Sequence, residues 1–212
     1  MEYLEVQPGQ EFNTLQDQFG NWNGWLCSYA VDAYGNTVGE AGTSSDLSSP
    51  FDLELLKSLR SQADCIVTTG KTARTENYKP SKFAPIAFLT RSPHSLNEIS
   101  AFEQPGEFEN IVISDFEDAT LFLDVKAALE KLGFKKLLFE GGVSSLKALI
   151  SQSSNLSLLA SISNSKSPAS VDSAQTLRGL IGDDIQATIV KDLVTDSNRV
   201  IQWSVGRSPR AQ

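Results

Sequence analysis

The chain has 212 residues, 40% of them hydrophobic and 21% charged, which is enough for one sizeable core in a single domain spanning 1–212. Its formal net charge of -8 argues against nonspecific nucleic-acid binding, which relies on Lys and Arg contacts to phosphate. It leaves room for a small anionic ligand, because a few local donors can outweigh the global field.

The two cysteines, Cys27 and Cys65, lie inside apolar runs and read as small buried thiols rather than a disulfide framework. No charged start leads into a long apolar run, so no signal peptide and no membrane span is expected, and a soluble cytoplasmic protein is. Residues 1–22 are polar and lack a clear period, as an N-terminal arm or edge element would. Trp25 to Val31 is an apolar strand. It runs into a long Gly-, Ser- and Asp-rich segment of a length that is uncommon in compact domains unless it is functional. A helix starts at Ser48, Ser49 or Pro50, with Phe51, Leu55, Leu56 and Leu59 on one face.

"DCIVTTG" then reads as a buried strand ending in a Gly turn. Ile86–Ser92 and Asn110–Ser114 are short apolar runs that stop at hydroxyl residues. Asp124 to Leu132 has helical spacing, with Gly133 as its C-cap. "KKLLFEGG" is another strand, and Ser144 onward another helix. The apolar runs are continuous rather than alternating, which predicts an α/β fold with a mostly parallel central sheet and helices on both faces. In such sheets ligands sit beyond the carboxyl ends of the strands. Four of those ends carry small or hydroxyl residues: Thr68-Thr69-Gly70, Thr90-Arg91-Ser92, Ser114 and Gly141-Gly142. Toward the C-terminus "NLSLLASIS" and "RVIQWSVG" read as strands flanking "QATIVKDLV", an antiparallel edge or hairpin. The Ser-rich stretch Ser151 to Ser173 reads as a solvated loop.

"FEGGVSS" sets a carboxylate and two glycines between a buried strand and a helix. A helix N-terminus offers unpaired N–H groups and partial positive charge, and glycine lets a phosphate approach. A pyrophosphate cradle and an ordinary tight turn both fit. No G-x-G-x-x-G or Walker pattern occurs, which argues against an ordinary Rossmann or P-loop protein.

The block from "DAYGNTVGEAGTSSDLSSPFDLELLKSLRSQADCIVTTGKTARTENYKP", followed by "LGFKKLLFEGGVSSLKALI", resembles the pyrimidine reductase domain of riboflavin biosynthesis across about Trp25 to Ile150. That family has a dihydrofolate-reductase-like fold. The length, the single histidine and the lack of a zinc-deaminase pattern suit its stand-alone form. The resemblance implies hydride transfer from NADPH to C1′ of the ribosyl group of an aminopyrimidine ribose phosphate, in a homodimer. The small phosphorylated substrate would be the only partner besides a second copy, with no nucleic acid and no membrane.

Residue by residue, the resemblance places Gly141, Gly142, Val143, Ser144 and Ser145 on the pyrophosphate. It gives Thr69, Gly70, Thr72 and Glu76 cofactor contacts, although Thr72 and Glu76 also suit a helix start. Arg91 and Ser92 fall on the adenosine side, where Arg91 could take a 2′-phosphate or be a plain surface arginine. Ala30 and Asp46 match further cofactor positions. Ser44 and Arg60 match substrate contacts, with Arg60 suited to the 5′-phosphate. Glu140 and Asp32 are the candidate catalytic carboxylates. Glu140 also contacts substrate, and Asp32 suits the shaping of a turn as well. The chain departs from the family in "AVDAYG", where Ser-Leu-Asp-Gly is usual, in Leu26 and Cys27 on the preceding strand, in Glu76-Asn77-Tyr78, and beyond Ile150. A reductase with another substrate and a non-catalytic nucleotide-binding chain are the competing readings.

Overall fold

The computed structural model describes residues 1–5, 11–39, 47–163 and 168–206. Nine strands form one sheet: β1 (Glu2–Tyr3), β2 (Gly24–Val31), β3 (Cys65–Thr69), β4 (Ile86–Leu89), β5 (Ile111–Ile113), β6 (Lys136–Phe139), β7 (Asn155–Ile162), β8 (Gln186–Val194) and β9 (Arg199–Gly206). Their order is β1-β8-β9-β7-β2-β6-β3-β4-β5. From β7 to β5 every pairing is parallel, and β9 runs antiparallel between β7 and β8. The expected parallel centre and antiparallel C-terminal edge are both present, with "QATIVKDLV" forming β8.

The helices are α1 (Glu11–Phe19), α2 (Pro50–Gln62), α3 (Gly70–Thr75), α4 (Ser100–Glu103), α5 (Leu121–Lys131), α6 (Val143–Gln152) and α7 (Ser173–Ile181). Strand alternation divides the core. Trp25, Cys27, Val67 and Phe139 point to the face covered by Phe122 and Leu129 of α5, Leu146 of α6 and Leu180 of α7. Leu26, Ile66, Phe88 and Leu138 point to the other face, under Leu15 of α1, Leu55 and Leu59 of α2 and Ala73 of α3. On the first face Trp25, Phe122 and Phe139 meet edge to face, with centroids 5.5–6.2 Å apart, the geometry that aromatic quadrupoles favour.

Local signals explain the element ends. Ser49 caps α2 in a reciprocal box with Asp52, and Pro50 stands at its first turn. Gly133, at φ 92, ends α5. Its N–H bonds Glu130 O and that of Phe134 bonds Leu129 O, so the last carbonyls are satisfied.

Three expectations need correction. Within Ser151 to Ser173 the expected strand "NLSLLASIS" forms as β7 and is mostly buried, so only the solvated-loop reading of that stretch fails. Its serines lowered the apparent hydrophobicity, yet Ser161 is buried and reached by the Asn198 side chain. Helix α7 was missed. The segment before β2 is more than an arm, because it contains α1, whose Leu15 and Phe19 are buried. The Gly turn after "DCIVTT" is the first residue of α3.

Candidate functional site

The carboxyl ends of β2, β3, β4, β6 and β7 open on one edge of the sheet, and most of the sequence-marked residues lie there. At the β6–α6 junction the two glycines differ in purpose. A Cβ on Gly141 would stand 2.3 Å from Phe139 Cζ, so packing demands glycine. A Cβ on Gly142 would meet only Thr72 Oγ1, at 3.8 Å. Gly142 is the N-cap of α6 at φ -68 and ψ 165, and no side chain caps the helix. The N–H groups of Ser145 and Leu146 both turn back to Gly142 O. Those of Val143 and Ser144, in the first turn, lack an intrahelical acceptor. Among the described residues, then, no side chain caps this helix N-terminus and a Cβ at Gly142 would meet no crowding.

Across β3, Thr69 caps α3. Its Oγ1 accepts from Thr72 N–H at 3.2 Å and lies 3.0 Å from Thr72 Oγ1. Thr72 therefore stands between the first turn of α3 and Gly142. Gly70 is pressed against Thr90: a Cβ there would be 2.8 Å from Thr90 Cβ and Oγ1. Thr90 Oγ1 in turn accepts from Ser92 N–H at 3.1 Å. Arg74, not marked in the sequence, donates to Ser95 Oγ at 2.6 Å beside this turn. Glu76 is the C-cap of α3. Arg91 is exposed, donates to Asp118 and lies 5.5 Å from the Phe116 ring centroid. The hydrogen bond with Asp118 raises the Arg91 pKa and lowers that of the Asp118 carboxyl.

Glu140 follows Phe139, so its side chain falls on the opposite face, toward α2. It is almost fully buried, and both its oxygens are engaged. Arg60 Nε donates to Oε1 at 2.8 Å, and Arg60 Nη2 donates to Oε2 at 2.6 Å. Tyr78 Oη donates to Oε2 at 2.7 Å. The backbone is tied as well: Glu140 N–H bonds Val67 O, and Thr68 Oγ1 donates to Glu140 O at 3.2 Å. Burial works against the Arg60 charge, but Glu140 overrides it and leaves the guanidinium pKa raised. Burial, reinforced by Glu140, pushes the Tyr78 phenol well above its ordinary range.

Asp32 closes the turn after β2. Its Oδ1 accepts from the N–H groups of Tyr34 and Asn36, and its Oδ2 from Asn36 Nδ2 at 2.6 Å. The two extra residues before Gly35 are this turn. Gly35, at φ 85, then lies on α7: a Cβ on it would be 2.3 Å from Thr176 O, and one on Gly179 would be 1.7 Å from Tyr34 O. Thr176 Oγ1 donates to Ala33 O at 2.9 Å. Ala30 pairs with Ser161 of β7, on the Glu140 side of the sheet. Ser44 and Asp46 lie outside the described residues.

The structure thus brings together Arg60 with Glu140, and Thr69, Gly70 and Thr72 with Gly142. It sets Arg91 and Ser92 farther along the same edge and gives Asp32 to a turn. Sequence reasoning missed Tyr78 and a buried polar node around Asn198. Asn198 Nδ2 lies 3.2 Å from Ser49 Oγ, 3.2 Å from Asp52 Oδ1 and 3.4 Å from Ser161 Oγ, joining the start of α2 to the β8–β9 turn. The one sequence signal for Tyr78 was negative: it departs from the family at that position. Among the described residues no group of His, Cys, Asp and Glu is arranged to hold a metal, and no helix is long and apolar enough to cross a membrane.

Solved structures share this architecture. A pyrimidine reductase-like protein from Corynebacterium diphtheriae matches with a TM-score of 0.61 at 17% identity, over 96% of each chain. The riboflavin biosynthesis reductase of Saccharomyces cerevisiae matches with 0.63 at 12% identity, over 95% of this chain and 100% of that one. A dihydrofolate reductase from Enterococcus faecalis, complexed with NADP(H) and RAB-propyl, matches with 0.52 at 14% identity, over 87% and 97%. No family model and no curated protein sequence matches the chain. At these identities the likeness establishes the fold: dihydrofolate-reductase-like, shared with riboflavin-pathway reductases.

Proposed function

We propose that the chain is an NADPH-dependent reductase acting on an aminopyrimidine ribose phosphate, the reaction of the riboflavin pathway that its fold neighbours' names describe. The observation that supports it most is the open mouth of α6. Among the described residues the one atom within 4 Å of a Cβ built on Gly142 is Thr72 Oγ1, and no side chain caps the helix there. Backbone donors, partial positive charge and room for an anion are what a pyrophosphate requires, so these residues fit the cofactor. Val143, Ser144 and Ser145 would hold it at the first turn of α6, with Gly141 and Gly142 permitting the approach. Thr69, Gly70, Thr72 and Glu76 would border it from α3, and Arg91 and Ser92 from the end of β4. A bound nicotinamide supplies the hydride for the ribosyl C1′.

The remaining work belongs to the chain. Arg60 faces the substrate's phosphate. Glu140, held by Arg60 and Tyr78, offers the remaining lone pair of Oε1 to a substrate hydroxyl or amine. Asp32 acts through the turn it builds, which fixes the start of the segment bearing Ser44 and Asp46. Positioning is the main protein contribution to such a transfer. In this reading the protein is cytoplasmic and a homodimer. Supporting the dimer, among the described residues β1 pairs with Leu193 and Val194 of β8, and Ile189 and Val190 of the same strand are exposed.

The test is a titration with NADPH and NADH followed by Trp fluorescence, then a turnover assay with the aminopyrimidine ribose phosphate. Tight NADPH binding and turnover are expected. Failure of both cofactors to bind at millimolar concentration would refute the reductase reading.

A further inference from the structure

The Arg60–Glu140 pair has a third member, and Tyr78 is built into place more firmly than a chance hydrogen bond requires. Its N–H donates to Ala73 O at 2.9 Å, and its C=O accepts from Ala101 N–H at 2.7 Å. Just before it, Asn77 takes the left-handed conformation at φ 43, and its N–H bonds Arg74 O. These bonds end α3 in the paired pattern that satisfies the last helix carbonyls and sends the next residue inward. Asn77 Oδ1 also accepts from Ser100 N–H and Oγ, both at 3.2 Å. The Phe88 ring meets the Tyr78 ring edge-on, with centroids 6.4 Å apart.

From this fixed base Tyr78 makes two different contacts. Its hydroxyl donates to Glu140 Oε2, and its ring face lies 5.6 Å from Arg60 Cζ. Arg60 is thereby held on one face by the ring and along one edge by the carboxylate that takes Nε and Nη2. Among the described residues Nη1 has no acceptor, and the Arg60 side chain remains 26% exposed. A guanidinium fixed in its plane with one donor edge open is prepared for an oxyanion.

We propose that Tyr78 is a positioning residue: by anchoring Glu140 and stacking on Arg60, it aims the Nη1 edge of Arg60 at the phosphate ester of the substrate. This rests on the reductase reading above for the identity of the substrate, but not for the phosphate site itself. The phenol stays a donor throughout the neutral range, because burial and the adjacent carboxylate both oppose its ionisation. Tyr78→Phe keeps the stacking and removes the anchor, while Tyr78→Leu removes both.

Calorimetry with ribose 5-phosphate as the probe, and ribose as its uncharged control, tests this directly. Wild type is expected to bind ribose 5-phosphate and not ribose. Tyr78→Phe should weaken that binding by about tenfold, the loss of one hydrogen bond to a charged group, and Tyr78→Leu by more. If Tyr78→Leu fails to fold, Tyr78→Phe decides. In turnover, Tyr78→Phe should raise KM for the phosphorylated substrate and leave kcat largely unchanged, a split that a general loss of stability would not give. The double variant Arg60→Met with Glu140→Gln, which leaves no buried carboxylate alone, should abolish ribose 5-phosphate binding. Equal affinity in wild type and Tyr78→Phe would overturn the positioning role. Equal affinity in wild type and the double variant, or no binding by wild type, would overturn the phosphate site. Binding of ribose 5-phosphate as expected with no binding of NADPH supports the site and refutes the reductase reading instead.

Discussion

On the α2 side of the candidate site and again on the β4–β5 side, an arginine faces a carboxylate, but the two pairs live in different solvents. The Arg60 and Glu140 side chains are 26% and 6% exposed, whereas those of Arg91 and Asp118 are 60% and 76% exposed. Glu140 has three side-chain donors, two from Arg60 and the third the buried Tyr78 phenol. Asp118 has Arg91 and is otherwise largely exposed. Coulomb attraction falls with local dielectric screening, so the exposed pair can exchange partners at little cost and the buried pair cannot. On the proposed reading, Arg91 would release Asp118 to take a ligand, whereas Arg60 would receive its ligand with Glu140 still attached, through the Nη1 edge that no acceptor among the described residues occupies.

Breaking the buried pair gives the largest expected effect. Arg60→Ala leaves a desolvated carboxylate with only Tyr78 as donor, and should lower the unfolding free energy by roughly 3–5 kcal/mol. Adding Glu140→Gln should recover a large part of that, since the uncompensated charge is then gone. Urea unfolding of the single and double variants measures both. A loss below about 1 kcal/mol for Arg60→Ala would mean that the pair behaves like a surface ion pair and the contrast between the two sides collapses.

Next in size is the contact that ties the turn after β2 to α7. Gly179→Ala would drive a methyl into Tyr34 O, at 1.7 Å from the ideal Cβ position, so helix and turn must separate. Overpacking of this kind costs about 1–3 kcal/mol. Thermal unfolding should show the loss, and weaker NADPH binding should accompany it if the turn positions the segment that follows. Unchanged stability would place the contact outside the cooperative fold.

The same two sides also differ in what could be read from the chain. The ends of β3, β4 and β6, the start of α2 within Ser48 to Pro50 and the stop of α5 just before Gly133, one residue past its C-cap Leu132, depend on near neighbours in sequence, and each was legible. The parts that depend on distant side chains were not. Ser161 falls in both the expected strand "NLSLLASIS" and the expected loop Ser151 to Ser173, and nothing near it in sequence announces the bond from Asn198, 37 residues away. Asp192 looks like a solvated charge until Arg199 pairs with it across the β8–β9 turn, through Nε and Nη2 at 2.8 Å. Tyr78 faces Glu140 across 62 residues, and no periodicity signals that. Asn198→Ala should therefore have an effect that its sequence context does not announce. It removes the amide shared by Ser49, Asp52 and Ser161 inside a buried node. About 1–3 kcal/mol of stability should be lost. Chemical denaturation that showed no change would mean that water replaces the amide without penalty.

The smallest expected effect tests the exposed pair. If Arg91 takes a 2′-phosphate as proposed, that phosphate would compete with Asp118 for the same guanidinium, so Asp118→Asn should tighten NADPH and leave NADH unchanged. An exposed ion pair is worth at most about 1 kcal/mol, so the gain should not exceed about fivefold, and stability should hardly move. The pH dependence has a definite sign. The hydrogen bond and charge of Arg91 hold the Asp118 pKa below its ordinary value. The pair is therefore fully formed above the unfolded carboxyl pKa and is lost as pH falls through the lowered folded one. Competition with the 2′-phosphate is lost in step. The NADPH affinities of wild type and Asp118→Asn should converge at the acid end of a titration and separate toward neutrality. If they differ by the same factor throughout, Asp118 acts on the cofactor by some route other than its charge on Arg91. If NADPH and NADH respond alike, Arg91 is a surface arginine and the discrimination between the cofactors lies elsewhere along the edge.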